Sequence, residues 1–591
     1  MKRTFLYIPL LLAIVLASCS TPLTEEQKQA DSVLFKQIHE YTLNPDGSMV
    51  YRYYHKRLYN TYQSFHRYYG ETFVSFNPDY QTLKVNLSKT TMADGKVVHS
   101  PENAFNEILP FHASLAPAYN HLRDMVITHV GLEIGAVVEL DYTIETKAGY
   151  VPCFSEDIIL NQTSPVKDLE IIVRVPKGHR LSNKVLNAPA NLKEKRKTEG
   201  GFQVVKCHAT EVPPIANEAL QSDGMADYQR LMFSEWDLEQ VINYYKNTFR
   251  KEINDDPSLD KLLNDKKEGW DKVEAIRNYV VSNINTYRVP PRNCGYQFRL
   301  PNDVWQSNGG TEGDKVILLS ALLKKAGFDA RPAFGTYSHL IDKEIGCVSA
   351  FDRYYVAVEF DGETRYLSAI GNNSPKSDSR MVIVSAEEPD SIDAEGKNTG
   401  MAMSLISTLS MDAKGFVSGT GTLAMNPYDK DGGMLGGISR NCVKTEEISN
   451  DKESDVFSVT ISNAKSEAMG DYFSFTLPVI AQGFEWVRTG ELPSQRITPL
   501  HLPWTVDERY DFTISAPDGL AFVNPGYDEQ LENGVGSVKI RHRVVESRKL
   551  KIERQLSIYQ SVIPAESYND FRELVNLWKD VNLNRFMVKS K

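Results

Sequence analysis

Six cysteines, at positions 19, 153, 207, 294, 347 and 442, are the strongest nucleophiles that this chain of 591 residues offers. Thiol chemistry needs a thiolate, an imidazole that exchanges protons near neutral pH, and an acceptor that orients the imidazole. Cys294, between Pro290-Pro291 and Gly295, and Cys347, after Gly346, are candidate nucleophiles, with His339 as the base. Neither opens a helix, where the dipole would favour a thiolate. The alternative is that both are loop residues, or partners in one disulfide. The segment that does open a helix, Gly309-Gly310-Thr311-Glu312-Gly313-Asp314, holds carboxylates and no thiol.

With Cys19 set aside, Cys153, Cys207, Cys294, Cys347 and Cys442 remain, an odd number without Cys-x-x-Cys spacing, so at least one is unpaired. Cys207-His208 is the single adjacent Cys/His pair. It lacks a second pair at finger spacing, so it reads as a strand Cys beside a half-exposed His, and neither metal nor cofactor is expected. No spacing among the 77 acids singles out a glycosidase pair. Tyr51, Tyr53, Tyr54, Tyr59, Tyr62, Tyr68 and Tyr69 crowd one segment. Such rings form a glycan or peptide face when exposed and sandwich packing when buried, and packing is the favoured reading.

The elements that position these residues follow from periodicity. Residues 82–87, 137–144 and 169–175 alternate apolar with polar side chains, and Asp94-Gly95 and Pro176-Lys177-Gly178 punctuate them, as in a β-sandwich. Near Trp236 the period lengthens, with helices headed by Asp237 and spanning 270–284 and 315–326, the last stopped by Gly327. Strands follow at 331–334, 354–360 and 365–367, the last two joined by Asp361-Gly362. Beyond Met401 strands dominate, with a helix over 568–578 and a strand over 586–588. The apolar content of 41% supports packed cores, and the length implies three domains. A net charge of −11 without a Lys/Arg cluster excludes nucleic acid as the partner.

At the N-terminus, Lys2 and Arg3 precede an apolar run over 5–16 that is too short to span a bilayer. The run ends in Leu16-Ala17-Ser18-Cys19, which resembles the lipobox of bacterial lipoproteins. The resemblance implies that 1–18 is a removed signal peptide and that Cys19 carries the lipid. Removal takes away Lys2 and Arg3 and moves the net charge from −11 to −13. Residues 19–45 read as a tether. The membrane is then a partner through lipid alone, and the location a bacterial cell envelope, at the outer membrane.

Gly310-Thr311-Glu312-Gly313-Asp314-Lys315, the following Gly-terminated helix and the strand hairpin resemble the transglutaminase-like core, a papain-related α+β fold. In that family a Gly-Asp-Cys-Lys-Asp-Lys segment opens the helix, and the next strands supply His and Asp. Carried over residue by residue, the three positions are Glu312, Arg353 (in Phe351-Asp352-Arg353) and Ser368 (in Leu367-Ser368-Ala369), and none keeps its catalytic side chain. Arg353 cannot act as a base, because its pKa stays above ~12. A charge-assisted Glu312–Arg353 pair with Ser368 close by is expected to fill the old site. Phe76-Asn77-Pro78-Asp79-Tyr80-Gln81, Tyr119, Gly135-Ala136 and Val212-Pro213-Pro214-Ile215 resemble the N-terminal domain of unknown function that precedes such cores. Thr498-Pro499-Leu500 and Asp507-Glu508-Arg509-Tyr510 resemble the companion C-terminal β domain.

The expected architecture is a multidomain α+β chain. It has an N-terminal β-sandwich over 46–218, a transglutaminase-like core over 225–390 and a β-rich domain with a terminal helix over 400–591. The implied function is a lipid-anchored binding or scaffolding module for peptide, protein or glycan, its core a degenerate enzyme. The competing expectations are a thiol amidase or peptidase using a displaced cysteine, and a glycan-binding surface lipoprotein.

Overall fold

In the computed structural model the described residues are 22–590, apart from 216–217, 223–224, 250, 264–266, 372–378, 384–399, 426–442, 451–454, 478–483, 485–491, 503 and 525. Cys442 and residues 1–21, with Cys19 and the expected signal segment 1–18, lie outside them.

The N-terminal domain is built on an eight-stranded sheet whose central strands are Val166–Pro176, Ser32–Leu43, Met49–Tyr59 and Val137–Thr146, in that order. Two three-stranded sheets cover one of its faces. One, containing Glu71–Phe76 and Arg123–Thr128, encloses Val74, Ile127 and Leu140. The other, containing Ser155–Ile159 and Arg230–Ser234, encloses Leu34, Ile171, Val173 and Phe233. The opposite face carries interleaved charges, such as Arg174 and Arg52 on Glu40, and Lys36 and Lys206 on Glu170. An outer strand, Lys193–Glu199, reads Lys-Glu-Lys-Arg-Lys-Thr-Glu and is exposed at every residue.

Two boundaries differ from the sequence expectation. The stretch assigned to a tether contains the strand Ser32–Leu43, parallel to Val166–Pro176 and antiparallel to Met49–Tyr59. Its polar residues, among them Lys36, His39 and Glu40, hide a buried start at Val33 and Leu34. The sandwich also reaches past 218, because the fully buried strand Arg230–Ser234 pairs with Ser155–Ile159 and Ser182–Leu186. Within the tyrosine-rich segment, Tyr51 packs on Tyr41 (4.7 Å between ring centroids), Tyr53 packs on Tyr142 (5.4 Å), and Tyr59 is buried. Tyr62 and Tyr68 are exposed.

The central unit sets helices Leu238–Phe249, Gly269–Asn283 and Glu312–Lys325 with an antiparallel sheet of order Glu363–Leu367, Arg353–Phe360, Asp329–Tyr337, Ser379–Ile383. The hairpin turn places Asp361 and Gly362 at φ 53° and 75°, the left-handed pair that a two-residue turn requires. In the C-terminal domain an eight-stranded sheet centred on Met401–Met411 and Val506–Ser515 is joined by a four-stranded sheet and by the helix Tyr568–Trp578. That helix buries Phe571, Leu574 and Trp578 in the domain's core.

Because Leu34 has no exposed surface, Leu34→Ala is expected to lower stability by about 2–5 kcal/mol in urea unfolding. An unchanged midpoint would show that this segment is a tether after all.

Candidate functional site

The helix Glu312–Lys325 is buried from Gly313 through Leu323. A helix enclosed on all sides reads as a continuous apolar run, and its first N–H groups must find partners without water. Thr311 is the N-cap: its Oγ1 accepts from Asp314 N at 3.3 Å, and Asp314 Oδ2 accepts from Thr311 N at 2.8 Å. Asp314, fully buried, also accepts from Arg299 N at 2.7 Å and from the Tyr119 hydroxyl at 3.3 Å. Lys315 Nζ donates to Ile284 O at 2.7 Å and to Thr286 Oγ1 at 2.9 Å. Gly313 is required by a close approach, since a Cβ there would lie 2.2 Å from Phe298 Cε1. Asp314 and Lys315, two of the residues that carry the resemblance, therefore hold the helix entrance in place.

Glu312 occupies the first helical position and is half-buried. Burial, reinforced by Asp352 and opposed by Lys315 and Arg353, pushes its carboxyl up to about 7. Burial likewise brings the Lys315 ammonium down to about 8, with Glu312 acting in the opposite direction. The expected closed Glu312–Arg353 bridge does not form: the ion pairs within 4.0 Å among the described residues do not include it. The Arg353 guanidinium instead lies over the Tyr337 ring, 3.6 Å from its centroid. The two charges sense each other without touching, because stacking on a neighbouring strand's aromatic ring keeps much of the attraction at less cost in side-chain ordering. Ser368 is buried, its hydroxyl accepting from Ile370 N at 3.2 Å and its carbonyl from Arg277 Nε at 3.0 Å, so it shapes the turn after its strand.

Cys153, Cys207, Cys294 and Cys347 are free and buried, which removes the disulfide alternative for Cys294 and Cys347. Cys294 Sγ donates to Pro291 O at 3.3 Å, and Cys347 Sγ to Glu156 O and Phe233 O at 3.5 Å. Burial pushes the Cys294 thiol up to about 12 and Cys347 well above its ordinary value. Both are held as neutral thiols on backbone carbonyls, opposite to what a displaced nucleophile needs. His339 stacks on Tyr337 with 5.7 Å between centroids. His208, read from sequence as a strand residue, meets Asp168 at 2.9 Å and shares a metal-like spacing with Asp168 and Glu170. Lys36 Nζ stands 3.1 Å from both carboxylates, so an ammonium already holds that place.

The residues that sequence reasoning missed come from the N-terminal domain. Tyr119 reaches Asp314, the Tyr150 hydroxyl donates to Asn293 O at 2.7 Å, and Arg292 meets Glu156 at 3.2 Å. These contacts clamp the loop before the helix entrance. Tyr119 belonged to the N-terminal resemblance, but nothing in its spacing pointed to a carboxylate 195 positions away.

A carboxyl raised in the folded state contributes most at low pH, and that contribution is lost as pH rises from about 4.5 to about 7. Glu312→Gln is therefore expected to stabilise the protein at pH 8 by about 1–3 kcal/mol and to leave it unchanged at pH 4. The lower figure allows for partial solvent screening and for the lost support of Lys315. Equal unfolding midpoints of the two proteins at both pH values would refute the buried-acid assignment.

Residues 45–216 match the model DUF3857 and residues 472–588 the model DUF3858, both described as domains of unknown function with a solved structure. No curated protein matches the chain. A crystal structure of a candidate protease from Parabacteroides distasonis is 24% identical, with a TM-score of 0.73, over 95% of this chain and 99% of its own. An M1 zinc metallopeptidase from Deinococcus radiodurans, 8% identical with a TM-score of 0.18 over 35% of this chain and 43% of its own, is too distant to carry an argument. The chain is thus similar along nearly its whole length to one known architecture, and its fold is multidomain, with a β-rich N-terminal domain ahead of an α+β core and a β-rich C-terminal domain.

Proposed function

We propose that this chain is a lipid-anchored protein of the bacterial envelope, held at the outer membrane, whose transglutaminase-like core binds peptide without thiol chemistry of its own. The observation that carries this reading is the helix entrance, where Glu312 stands at the nucleophile position while Cys294 and Cys347 are buried, neutral thiols. A carboxylate is a far weaker nucleophile toward amides, and Arg353 supplies no base. Peptide is the favoured ligand because a half-buried acid beside an arginine stacked on Tyr337 offers polar and aromatic contacts together. The similarity to a candidate protease points to the same polymer. Anchoring rests on Leu16-Ala17-Ser18-Cys19.

A fluorescein-labelled hexapeptide library is expected to contain ligands whose binding weakens roughly tenfold in Arg353→Ala, with no amide hydrolysis by the unmodified protein. Glu312→Cys alone should also fail to hydrolyse amides; the triple change Glu312→Cys, Arg353→His, Ser368→Asp is the minimum that could. Iodoacetamide-sensitive hydrolysis by the unmodified protein would overturn the proposal in favour of a displaced cysteine. Glycan-array binding that is lost in Arg353→Ala would replace peptide by glycan.

Cys19→Ala should abolish metabolic labelling by a palmitate analogue and change membrane fractionation. Unchanged labelling and fractionation would defeat the anchoring assignment.

A further inference from the structure

The strand Met49–Tyr59 carries an unusual inward row. Tyr53, His55, Arg57 and Tyr59 share one face by the two-residue period, where a sandwich would ordinarily place aliphatic side chains. Between this row and the strand Glu71–Phe76 lies a cavity of about 240 Å³, also lined by Tyr69, Glu71, Thr72, Phe73 and His129. The Glu71 carboxylate accepts from Thr128 Oγ1 at 3.1 Å and lies outside ion-pair reach of Arg57. It belongs to the N-terminal domain and shares no lining residue with the helix entrance.

Arg57 is 6% exposed. Its Nη1 donates to the hydroxyls of Ser32 at 2.8 Å and Ser164 at 3.1 Å, and its guanidinium lies 3.9 Å from the Tyr69 ring centroid. The ion pairs within 4.0 Å among the described residues give it no carboxylate. A buried guanidinium without a counter-charge is costly, and a core under selection for stability alone would replace it. His55 and His129 are each 5% exposed. Neither ring nitrogen of His55 has a hydrogen-bond partner, nor has His129 Nδ1, while His129 Nε2 meets Thr72 Oγ1 at 3.0 Å. Burial, with Arg57 adding to it, holds both imidazoles well below their ordinary pKa, so they are neutral near pH 7.

The cavity thus combines a planar cationic fork lacking its anion, two neutral imidazoles with unused hydrogen-bonding capacity, and tyrosine rings. That donor set recognises an oxyanion. A cation is disfavoured by Arg57 itself, and the metal-like donor spacing among the described residues lies elsewhere, at Asp168, Glu170 and His208. The volume sits just below the usual range of ligand pockets, about 300–1,000 Å³, which suits a small molecule and not a polymer.

We propose that this interlayer cavity binds a small organic anion through its carboxylate or phosphate group, seated on Arg57 and hydrogen-bonded by His55 and His129. The alternative content of a polar cavity is ordered water alone.

The test uses the full chain at pH 7, with calorimetric titration and thermal unfolding against succinate, glycerol 3-phosphate and, as a neutral control, erythritol. One of the two anions is expected to bind in a 1:1 ratio and raise Tm while erythritol does neither; whichever binds distinguishes carboxylate from phosphate. Arg57→Met should weaken that binding at least tenfold and, by removing an unpaired buried charge, leave the unliganded Tm equal or higher. His55→Leu, which removes nitrogens that have no partner in the protein, should weaken binding without lowering Tm, and it stands in should Arg57→Met fail to fold. Absence of binding by both anions, binding of erythritol as tight as that of the anion, or anion binding unchanged in the folded variants would overturn the proposal and leave a water-filled cavity.

Discussion

A helix surrounded on every side by protein cannot leave its first N–H groups to solvent, and the central unit is organised around that requirement. Thr311 and the fully buried Asp314 meet it in a capping box, and the Asp314 carboxylate joins three partners: the cap residue Thr311, the backbone of Arg299 and the hydroxyl of Tyr119. Lys315 ties the next residue to the end of the helix Gly269–Asn283 by way of Ile284 O. With these in place the entrance of the helix is fixed relative to the sheet, and with it the side chain at position 312. The contacts of Asp314 and Lys315 are made without the side chain at 312.

The three positions carried over from the resemblance lie in three different settings. Glu312 stands half-buried at the first helical position, the Arg353 guanidinium lies over the Tyr337 ring, and Ser368 closes a turn. Each meets a different neighbour, and among the described residues no ion pair within 4.0 Å joins Glu312 to Arg353. Cys294 and Cys347 serve as small apolar fillers whose S–H groups point at carbonyls, the ordinary behaviour of an interior cysteine.

Much of the fold was legible wherever a period ran uninterrupted. The helix Tyr568–Trp578, the hairpin at Asp361-Gly362 and the strands Val137–Thr146 and Val166–Pro176 lie where alternation or 3.6-residue spacing put them. The strand Ser32–Leu43 was not legible, because only its first residues are continuously buried, and Lys36 and Glu40 on its outer face look like a solvated linker. The wall of the candidate site was hidden for another reason. Tyr119, Tyr150 and Glu156 reach the loop before the helix from a different domain, and sequence spacing carries no signal about which distant loop a tyrosine will meet. The Glu312–Arg353 bridge failed as an expectation because sequence named the charges but not the ring lying beside one of them.

The outer strand Lys193–Glu199 bears on how such a protein survives at high local density. A wide sheet ends in unpaired backbone groups that invite another chain to add itself as the next strand. Here that rim reads Lys-Glu-Lys-Arg-Lys-Thr-Glu, with every side chain in solvent. A second copy docking along it would have to strip water from seven residues that are all exposed, with a charge at each of positions 193–197. Crowding, which raises the encounter rate of neighbouring copies, is therefore met by a margin that resists templated aggregation and keeps the sheet from growing beyond its own chain.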